Sequence, residues 1–155
     1  MVTRRAALRL GLQVGTVAAL VPVVAACTEE PSAPPPPDPL AELAAKARAD
    51  AALATAIATA QPALATAATE IATARTEHAT ALQAEVDRER PPVSSSSTRP
   101  PATPDVPADG VAALVDALTT AEKQAADLVA SVPRYRAGLL GSVAAGCASL
   151  RVVLT

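Results

Sequence analysis

The sequence predicts an all-α protein: a four-helix bundle made of two helical hairpins that are joined by a long Pro/Ser-rich crossover. Three observations point to this fold. Alanine, which has the highest helix propensity, supplies 40 of the 155 residues. The aromatic residues that strands favour are reduced to Tyr135. Apolar residues recur every three or four positions in four segments, and proline-containing turns separate these segments.

The first 26 residues are expected to be a signal peptide and not part of the fold. Residues 1–10 hold three arginines and no acid, and residues 11–26 are almost entirely apolar. This apolar run is shorter than the roughly 20 residues of a membrane span. The small residues Val24-Ala25-Ala26 stand directly before Cys27. The pattern resembles a bacterial lipoprotein signal peptide, which implies cleavage before Cys27 and acylation of its thiol. An ordinary signal peptide, or a short anchor with an incidental cysteine, is the alternative.

The paired Arg4 and Arg5 resemble a twin-arginine export signal, although Ala7 stands where that family usually has phenylalanine. Adjacent arginines also occur in general secretory signals, so both export routes stay open. The lipoprotein resemblance implies a protein anchored by lipid to the outer face of the cytoplasmic membrane. Without residues 1–26 the net charge is −5, because 10 basic and 15 acidic residues remain.

Residues 27–39 comprise the cysteine and a proline-rich stalk, which favours extended polyproline II backbone. The bundle is expected over residues 40–155. Its first helix begins with Asp38 as N-cap and Pro39 at the first helical position, and it ends near Ala60. Pro62 is expected to open the second helix, with one long kinked helix as the alternative.

The second helix is predicted to end at about Arg90, before Pro91-Pro92. Polar residues interrupt its two apolar lines, so we expect it to be only partly buried. These lines comprise Leu64, Ile71, His78 and Glu85, and beside them Ala68, Arg75 and Leu82. Residues 91–108 form the crossover, which is rich in proline and serine and is expected to be disordered.

Asp109 is the predicted N-cap of the third helix, whose apolar stripe continues to Val132. The fourth helix is predicted to begin at Pro133 or Arg134 and to continue almost to Thr155. It has no charge between Arg136 and Arg151, so we expect it to be apolar on most sides and central to the bundle. Its three glycines, Gly138, Gly141 and Gly146, are expected where a neighbouring backbone comes close. A membrane-inserted tail over residues 137–150 is the alternative, although it is short for a span.

Two segments are similar to the alanine-rich ferritin-like domains of unknown function in actinobacterial secreted proteins. They are Ala74-Arg75-Thr76-Glu77-His78-Ala79-Thr80-Ala81-Leu82 and Leu139-Leu140-Gly141-Ser142-Val143-Ala144-Ala145-Gly146-Cys147-Ala148. The resemblance covers roughly residues 40–155. It implies a ferritin-like bundle and no established activity.

A ferritin-type di-iron site needs Glu-x-x-His pairs on two helices and a further Glu from each of the others. Arg75 occupies the glutamate position before His78, and the fourth helix offers no ligand around Gly146 and Ser149. The acids of the third helix, Asp116, Glu122 and Asp127, are predicted to face outward. We therefore expect no metal and no cofactor. A surface site formed by Glu77, His78 and Glu85 stays open.

The remaining polar residues favour structural roles. His78 is predicted to be half-buried, with Glu85 or Arg75 as partner; a pH-sensitive contact is the alternative. Cys147 is expected to be a buried apolar residue, because its own helix places no histidine or basic group beside it. Two sets are expected to be solvated surface charges. They are the acids Glu70, Glu77 and Glu85, and the arginines Arg75, Arg88, Arg134 and Arg136. For the arginines, binding of an anionic partner is the alternative.

These observations predict a non-enzymatic lipoprotein with a structural or protein-interaction role. Its expected partners are the membrane, through the lipid on Cys27, and an unidentified protein such as another helical bundle. Nucleic acid is excluded as a partner, because the chain has neither stacking aromatics nor a basic excess. The alternatives are a module for a small apolar or lipid ligand and, less favoured, a ferritin-like metal-dependent protein.

Overall fold

The computed structural model describes residues 36–91 and 104–154. These residues form four α-helices and no strand: α1 (Pro39–Ala60), α2 (Ala65–Glu89), α3 (Gly110–Leu128) and α4 (Arg134–Val152). The predicted all-α class is thus confirmed over this part of the chain. The predicted signal residues Arg4, Arg5, Val24, Ala25 and Ala26, the lipidated Cys27 and most of the crossover lie outside the described residues.

Short-range signals set the ends of the helices. The Asp38 carboxylate accepts a hydrogen bond from the backbone N–H of Leu40 at 3.0 Å, and Pro39 takes the first helical position. Asp109 caps α3 in the same way, through the N–H of Ala112 at 2.9 Å. Pro62 begins one turn of 3-10 helix, Pro62–Leu64, that leads into α2. The break at Pro62 removes the alternative of a single kinked helix.

The four helices form two antiparallel hairpins, α1 with α2 and α3 with α4. Gly110, which begins α3, lies beside Ile57 and Gln61 at the end of α1, so α3 runs back along α1. Arg136, near the start of α4, contacts Asp38 at the start of α1. The main contacts between the hairpins join α1 to α3 and α2 to α4. Every adjacent pair of helices is therefore antiparallel, and α2 and α3 are parallel on a diagonal.

All four helices contribute to one core of leucine, isoleucine, valine and alanine. Several alanines on α1 and α2 are completely buried, among them Ala44, Ala54 and Ala68. Such small side chains fill little volume, so neighbouring helices must pack closely if the core is to be without voids. The larger buried residues are Leu40, Leu43, Ile57, Ile71, Leu82, Leu114, Leu118, Leu140, Val143 and Leu150.

The predicted central position of α4 is wrong. Its buried residues form one stripe, which consists of Arg136, Leu140, Val143, Cys147 and Leu150. The opposite face is exposed and carries glycine, serine and alanine: Gly138, Gly141, Ser142, Ala145 and Ser149. The absence of charge from this face does not require burial, because its small side chains leave little apolar surface to hide from water. No helix in the described chain combines the length and the apolar character needed to cross a membrane.

The glycines of α4 also differ from the prediction. A Cβ atom added at Gly138 or Gly141 would meet nothing within 4 Å, whereas one at Gly146 would lie 2.9 Å from Nε2 of His78. Close packing therefore explains Gly146 and leaves the other two unexplained. The third helix likewise ends earlier than its stripe predicts, at Leu128 rather than Val132. Beyond Leu128 the backbone N–H groups of Val129 and Ser131 bond carbonyls three residues back, so the chain tightens out of the α-helical pattern.

This difference predicts opposite effects for two matched substitutions. Gly141→Ala should stabilise the fold by about 0.5–1 kcal/mol, because it removes the helix-propensity penalty at an open site. Gly146→Ala should lose that gain or destabilise, because the new methyl group must displace the His78 ring. Urea unfolding followed by circular dichroism measures both. Equal stabilisation by the two substitutions would show that His78 does not constrain Gly146.

Candidate functional site

The centre of the bundle contains a polar cluster, which we call the central cluster: Asp50 of α1, Arg75 and His78 of α2, and Cys147 of α4. Arg75 is 1% exposed. One of its terminal nitrogens, Nη2, donates to Oδ2 of Asp50 at 2.9 Å. The other, Nη1, lies 3.0 Å from Nδ1 of His78 and 3.4 Å from Sγ of Cys147. One guanidinium group thus connects three helices.

The charge of Arg75 is balanced locally. Asp50, itself 3% exposed, also forms an ion pair with Lys46 one turn earlier. The Lys46 side chain is 34% exposed, so this end of the cluster reaches the surface of α1. The Nε atom of Arg75 is buried and makes no hydrogen bond within the described residues. The pairing of Arg75 with Asp50 is what permits a full charge at this depth.

His78 acts as an acceptor in this cluster. A guanidinium group can only donate, so Nδ1 of His78 accepts from Arg75, and the neutral ring carries its proton on Nε2, toward Gly146. Burial and the adjacent Arg75 charge lower the pKa of His78, while Glu77 opposes this shift. The ring is therefore neutral at neutral pH. Of the two predicted partners, Arg75 is the one that contacts His78; Glu85 bonds elsewhere.

Cys147 is fully buried. The prediction that its own helix places no basic group beside it is wrong, because Arg151 lies one turn on and its charge acts on the thiol. The prediction also missed Arg75, which approaches from α2. Burial raises the pKa of the Cys147 thiol, and the opposing effect of Arg75 is smaller. A buried, protonated thiol is a poor nucleophile. The predicted role of a small core residue agrees with this environment.

A second buried ion cluster lies where α1 and α4 begin and α2 ends. Arg136, 7% exposed, donates from Nε to Oε1 of Glu85 at 3.0 Å and pairs with Oδ2 of Asp38 at 2.9 Å. Glu85 also forms an ion pair with Arg88. We call Arg136, Asp38 and Glu85 the end cluster. Asp38 thus has two functions, since it also caps α1.

The prediction that Arg75, Arg136 and Glu85 are solvated surface charges is wrong. Arg75 and Glu85 lie on the lines of α2 that face the core. These charged side chains interrupt the apolar pattern because each forms an ion pair with a residue of another helix. The partners lie far away in sequence: Asp50 is 25 residues from Arg75, and Asp38 is 98 residues from Arg136. Spacing along one helix could not reveal these pairs. Arg88, Arg134, Glu70 and Glu77 are exposed, as predicted.

The surface metal site of Glu77, His78 and Glu85, which the sequence left open, does not form, because Glu85 is bound to Arg136 at the end of the bundle. In the described residues, no group of three acidic, histidine or cysteine side chains is placed to hold a metal ion. On α3, Glu122 does not face fully outward as predicted, because it pairs with Arg151 of α4 at 2.5 Å. Asp116 and Asp127 are exposed.

The described surface also contains open grooves. One, with a volume of about 620 Å³, runs between α1 and α2 and is lined by threonine, alanine and Glu77. Several of these threonine hydroxyls donate to the carbonyl four residues earlier, for example those of Thr55, Thr73 and Thr76. The groove therefore presents methyl groups and hydroxyl lone pairs on the outside of the bundle.

Comparison of the chain with protein-family models, with curated proteins and with solved structures finds no match. Function must therefore be inferred from the residues and their geometry.

Removal of one charge from the central cluster should be more harmful than removal of the pair. Asp50→Ala leaves Arg75 buried and unpaired, and we expect a loss of about 3–5 kcal/mol of unfolding free energy. The double variant Asp50→Leu/Arg75→Met should recover most of it. Asp127→Ala is the matched control; it breaks the exposed Lys123–Asp127 pair and should cost at most about 0.5 kcal/mol. Urea unfolding measures all three, and a small effect of Asp50→Ala would refute the pairing.

His78 should make stability depend on pH. Its pKa in the folded state is below the usual 6.5, so the unfolded chain binds the proton first as pH falls. The free energy of unfolding should therefore decrease as pH drops through about 6.5 and level off below the folded-state pKa. Because the chain has one histidine, unfolding curves between about pH 5.5 and 7.5 isolate this effect. His78→Gln should abolish the slope; a slope that persists would assign it to another group.

Proposed function

We propose that this protein is an exported lipoprotein, anchored through Cys27 to the outer face of the cytoplasmic membrane, whose helical bundle has a structural or protein-binding role and no catalytic activity. The observation that carries the proposal is the run Val24-Ala25-Ala26 before Cys27, after a basic start and a short apolar segment. Export by the twin-arginine or by the general route fits this proposal equally well.

The place where the fold begins supports a stalk. Residues 36–38 are not helical, and α1 starts at Pro39. The helical unit that the structure describes thus begins just after the proline-rich residues that would follow a lipidated Cys27. The carbonyl of Pro36 accepts a hydrogen bond from Nη1 of Arg90 at 2.8 Å, which attaches the start of the unit to the end of α2.

The topology supports a ferritin-like bundle as the finer description of the fold. Two hairpins joined by one long crossover, with all adjacent helices antiparallel, are the arrangement of ferritin-like folds. Those folds place their metal ligands on facing helices inside the bundle. In this chain Arg75 and His78 have the i, i+3 spacing of such a pair, but a guanidinium group takes the place of the carboxylate. We infer that the interior positions serve packing and register rather than redox chemistry.

The pairing of the buried charges supports a non-enzymatic role. Asp50, Glu85 and Asp38 are each occupied by an arginine, and the Cys147 thiol is held protonated by burial. We propose a protein partner, with another helical bundle as the leading class. The small side chains on the exposed face of α4 would allow a partner helix to approach closely.

Mass spectrometry of the protein from membranes of its host tests the anchor. We expect an N-terminal Cys27 that carries acyl chains, and Cys27→Ser should abolish both the lipid and the membrane association. Cys147→Ser is the matched control, because it removes the chain's other cysteine and should leave lipidation intact. A mature chain that begins elsewhere, or that lacks acyl groups, would overturn the proposal.

A further inference from the structure

The contact between α2 and α4 is the smallest of the four contacts between adjacent helices. At one end the two helices are joined by the end cluster. At the centre of the bundle, His78 of α2 lies against Gly146 of α4, and Arg75 of α2 reaches Cys147 of α4. We call this central contact the α2–α4 seam. A change in the charge of His78 therefore acts where the two hairpins are held together least.

The seam requires that the ring of His78 is neutral. Nη1 of Arg75 donates to Nδ1 of His78 at 3.0 Å. A protonated imidazole has a donor at both nitrogens, and a guanidinium group has donors only. Protonation of His78 therefore removes this hydrogen bond and places two positive charges in contact.

The packing of the ring transmits this repulsion to α4. A Cβ atom added at Gly146 would lie 2.9 Å from Nε2 and 3.0 Å from Cε1 of His78, so one edge of the ring is in close contact with α4 while Nδ1 faces Arg75. A ring that is pushed away from Arg75 thus acts against α4. His78 is only half-buried, so it can take up a proton from water.

Nearby carboxylates in the described residues do not compensate a charge on His78. Asp50 is occupied by Arg75 and Lys46. Glu77 is exposed, and its favourable effect on the charged ring is smaller than the opposing effects of burial and Arg75. The charged and titratable groups around the ring are Arg75 and Glu77 of α2, Asp50 and Lys46 of α1, and Cys147 of α4, with Arg151 one turn beyond it.

Cys147 is placed to report whether the seam is closed. Its Sγ lies 3.4 Å from the same Nη1 of Arg75 that bonds His78, and the residue is 0% exposed. A reagent in solution can therefore reach the thiol only when α2 and α4 separate or when the whole bundle unfolds. The contact between α1 and α3 is larger than the seam, so it can hold the hairpins together while the seam is open.

We propose that the α2–α4 seam is a pH-sensitive device, in which protonation of His78 opens the seam locally and exposes Cys147 while the helical hairpins stay folded. Burial and Arg75 lower the pKa of His78 in the closed seam, so the open seam binds the proton more tightly. Opening is therefore favoured as pH falls below about 6.5. The predicted loss of overall stability would be the same wherever the proton acted, whereas this inference assigns the effect to one contact. It does not depend on the proposed lipid anchor.

Thiol labelling of Cys147 tests the proposal. The full chain with Cys27→Ser has Cys147 as its one thiol, and 4,4′-dithiodipyridine is the probe. At each pH the labelling rate is divided by the rate for the same chain unfolded in urea, which cancels the pH dependence of the thiol itself. When labelling is slower than reclosing, this ratio is the fraction of molecules in which the thiol is accessible.

We expect the accessible fraction to rise at least about threefold between about pH 7.5 and pH 5. The rise should depend little on urea added below the unfolding transition, because a local opening exposes little surface. His78→Gln should make the fraction independent of pH, because the glutamine amide oxygen can accept from Arg75 and does not titrate.

A thiol outside the seam separates local opening from global unfolding. Ala125 of α3 is fully buried, so the chain Cys27→Ser/Cys147→Ala/Ala125→Cys carries its one thiol at a core position that only global unfolding should expose. Its accessible fraction should be lower than that of Cys147 and should increase steeply with urea. Circular dichroism checks that each variant is folded; without a folded Ala125→Cys chain, the urea dependence of Cys147 labelling decides alone.

An accessible fraction of Cys147 that does not change with pH would overturn the proposal, because the charged ring would then leave the cluster without moving α4. A rise that survives His78→Gln would do the same, since another group would be responsible. A rise that the Ala125→Cys thiol matches in size, or that follows the urea dependence of global unfolding, would also overturn it.

Discussion

The structure depends on a single buried guanidinium, that of Arg75. It belongs to the largest fully buried side chain of the described bundle, whose buried apolar residues are leucine, isoleucine, valine, alanine and cysteine. The chain has no phenylalanine or tryptophan, and this arginine exceeds every other fully buried side chain of the described bundle in volume. Its charge must then be matched, and Asp50, His78 and Cys147 provide the acceptors. Packing and electrostatics are thus satisfied by the same contacts.

Register between the helices follows from this type of interaction. Alanine surfaces are smooth and similar along their length, so they can attract helices without fixing one sliding position. Directional ion pairs remove that ambiguity. Arg75 sets α1 against α2, Arg136 sets α4 against the start of α1 and the end of α2, and Arg151 sets α4 against Glu122 of α3. Arginine is suited to this role because its fork of donors reaches several acceptors at once.

Sequence alone predicted what local chemistry controls. The caps Asp38 and Asp109 and the break at Pro62 are signals that involve only a few neighbouring residues, and the helices begin where these signals stand. The buried ion pairs could not be predicted, because a polar residue on an apolar line looks the same whether it faces solvent or a distant partner. The exposed face of α4 could not be predicted either. Glycine, alanine and serine occur both in protein interiors and at surfaces, so their pattern carries little information about burial.

The ion pairs that stabilise the buried charges also occupy the side chains that could otherwise act as acids or bases. A catalytic acid, base or nucleophile needs an open coordination or hydrogen-bonding position for substrate, together with access. Asp50 is shared between Arg75 and Lys46, His78 accepts from Arg75 with Gly146 against its other edge, and Cys147 is sealed from water. The described arginines without a carboxylate partner, Arg48, Arg90 and Arg134, are instead exposed. Within the described residues, the compensated charges therefore lie inside the bundle and the unpaired arginines lie on its surface.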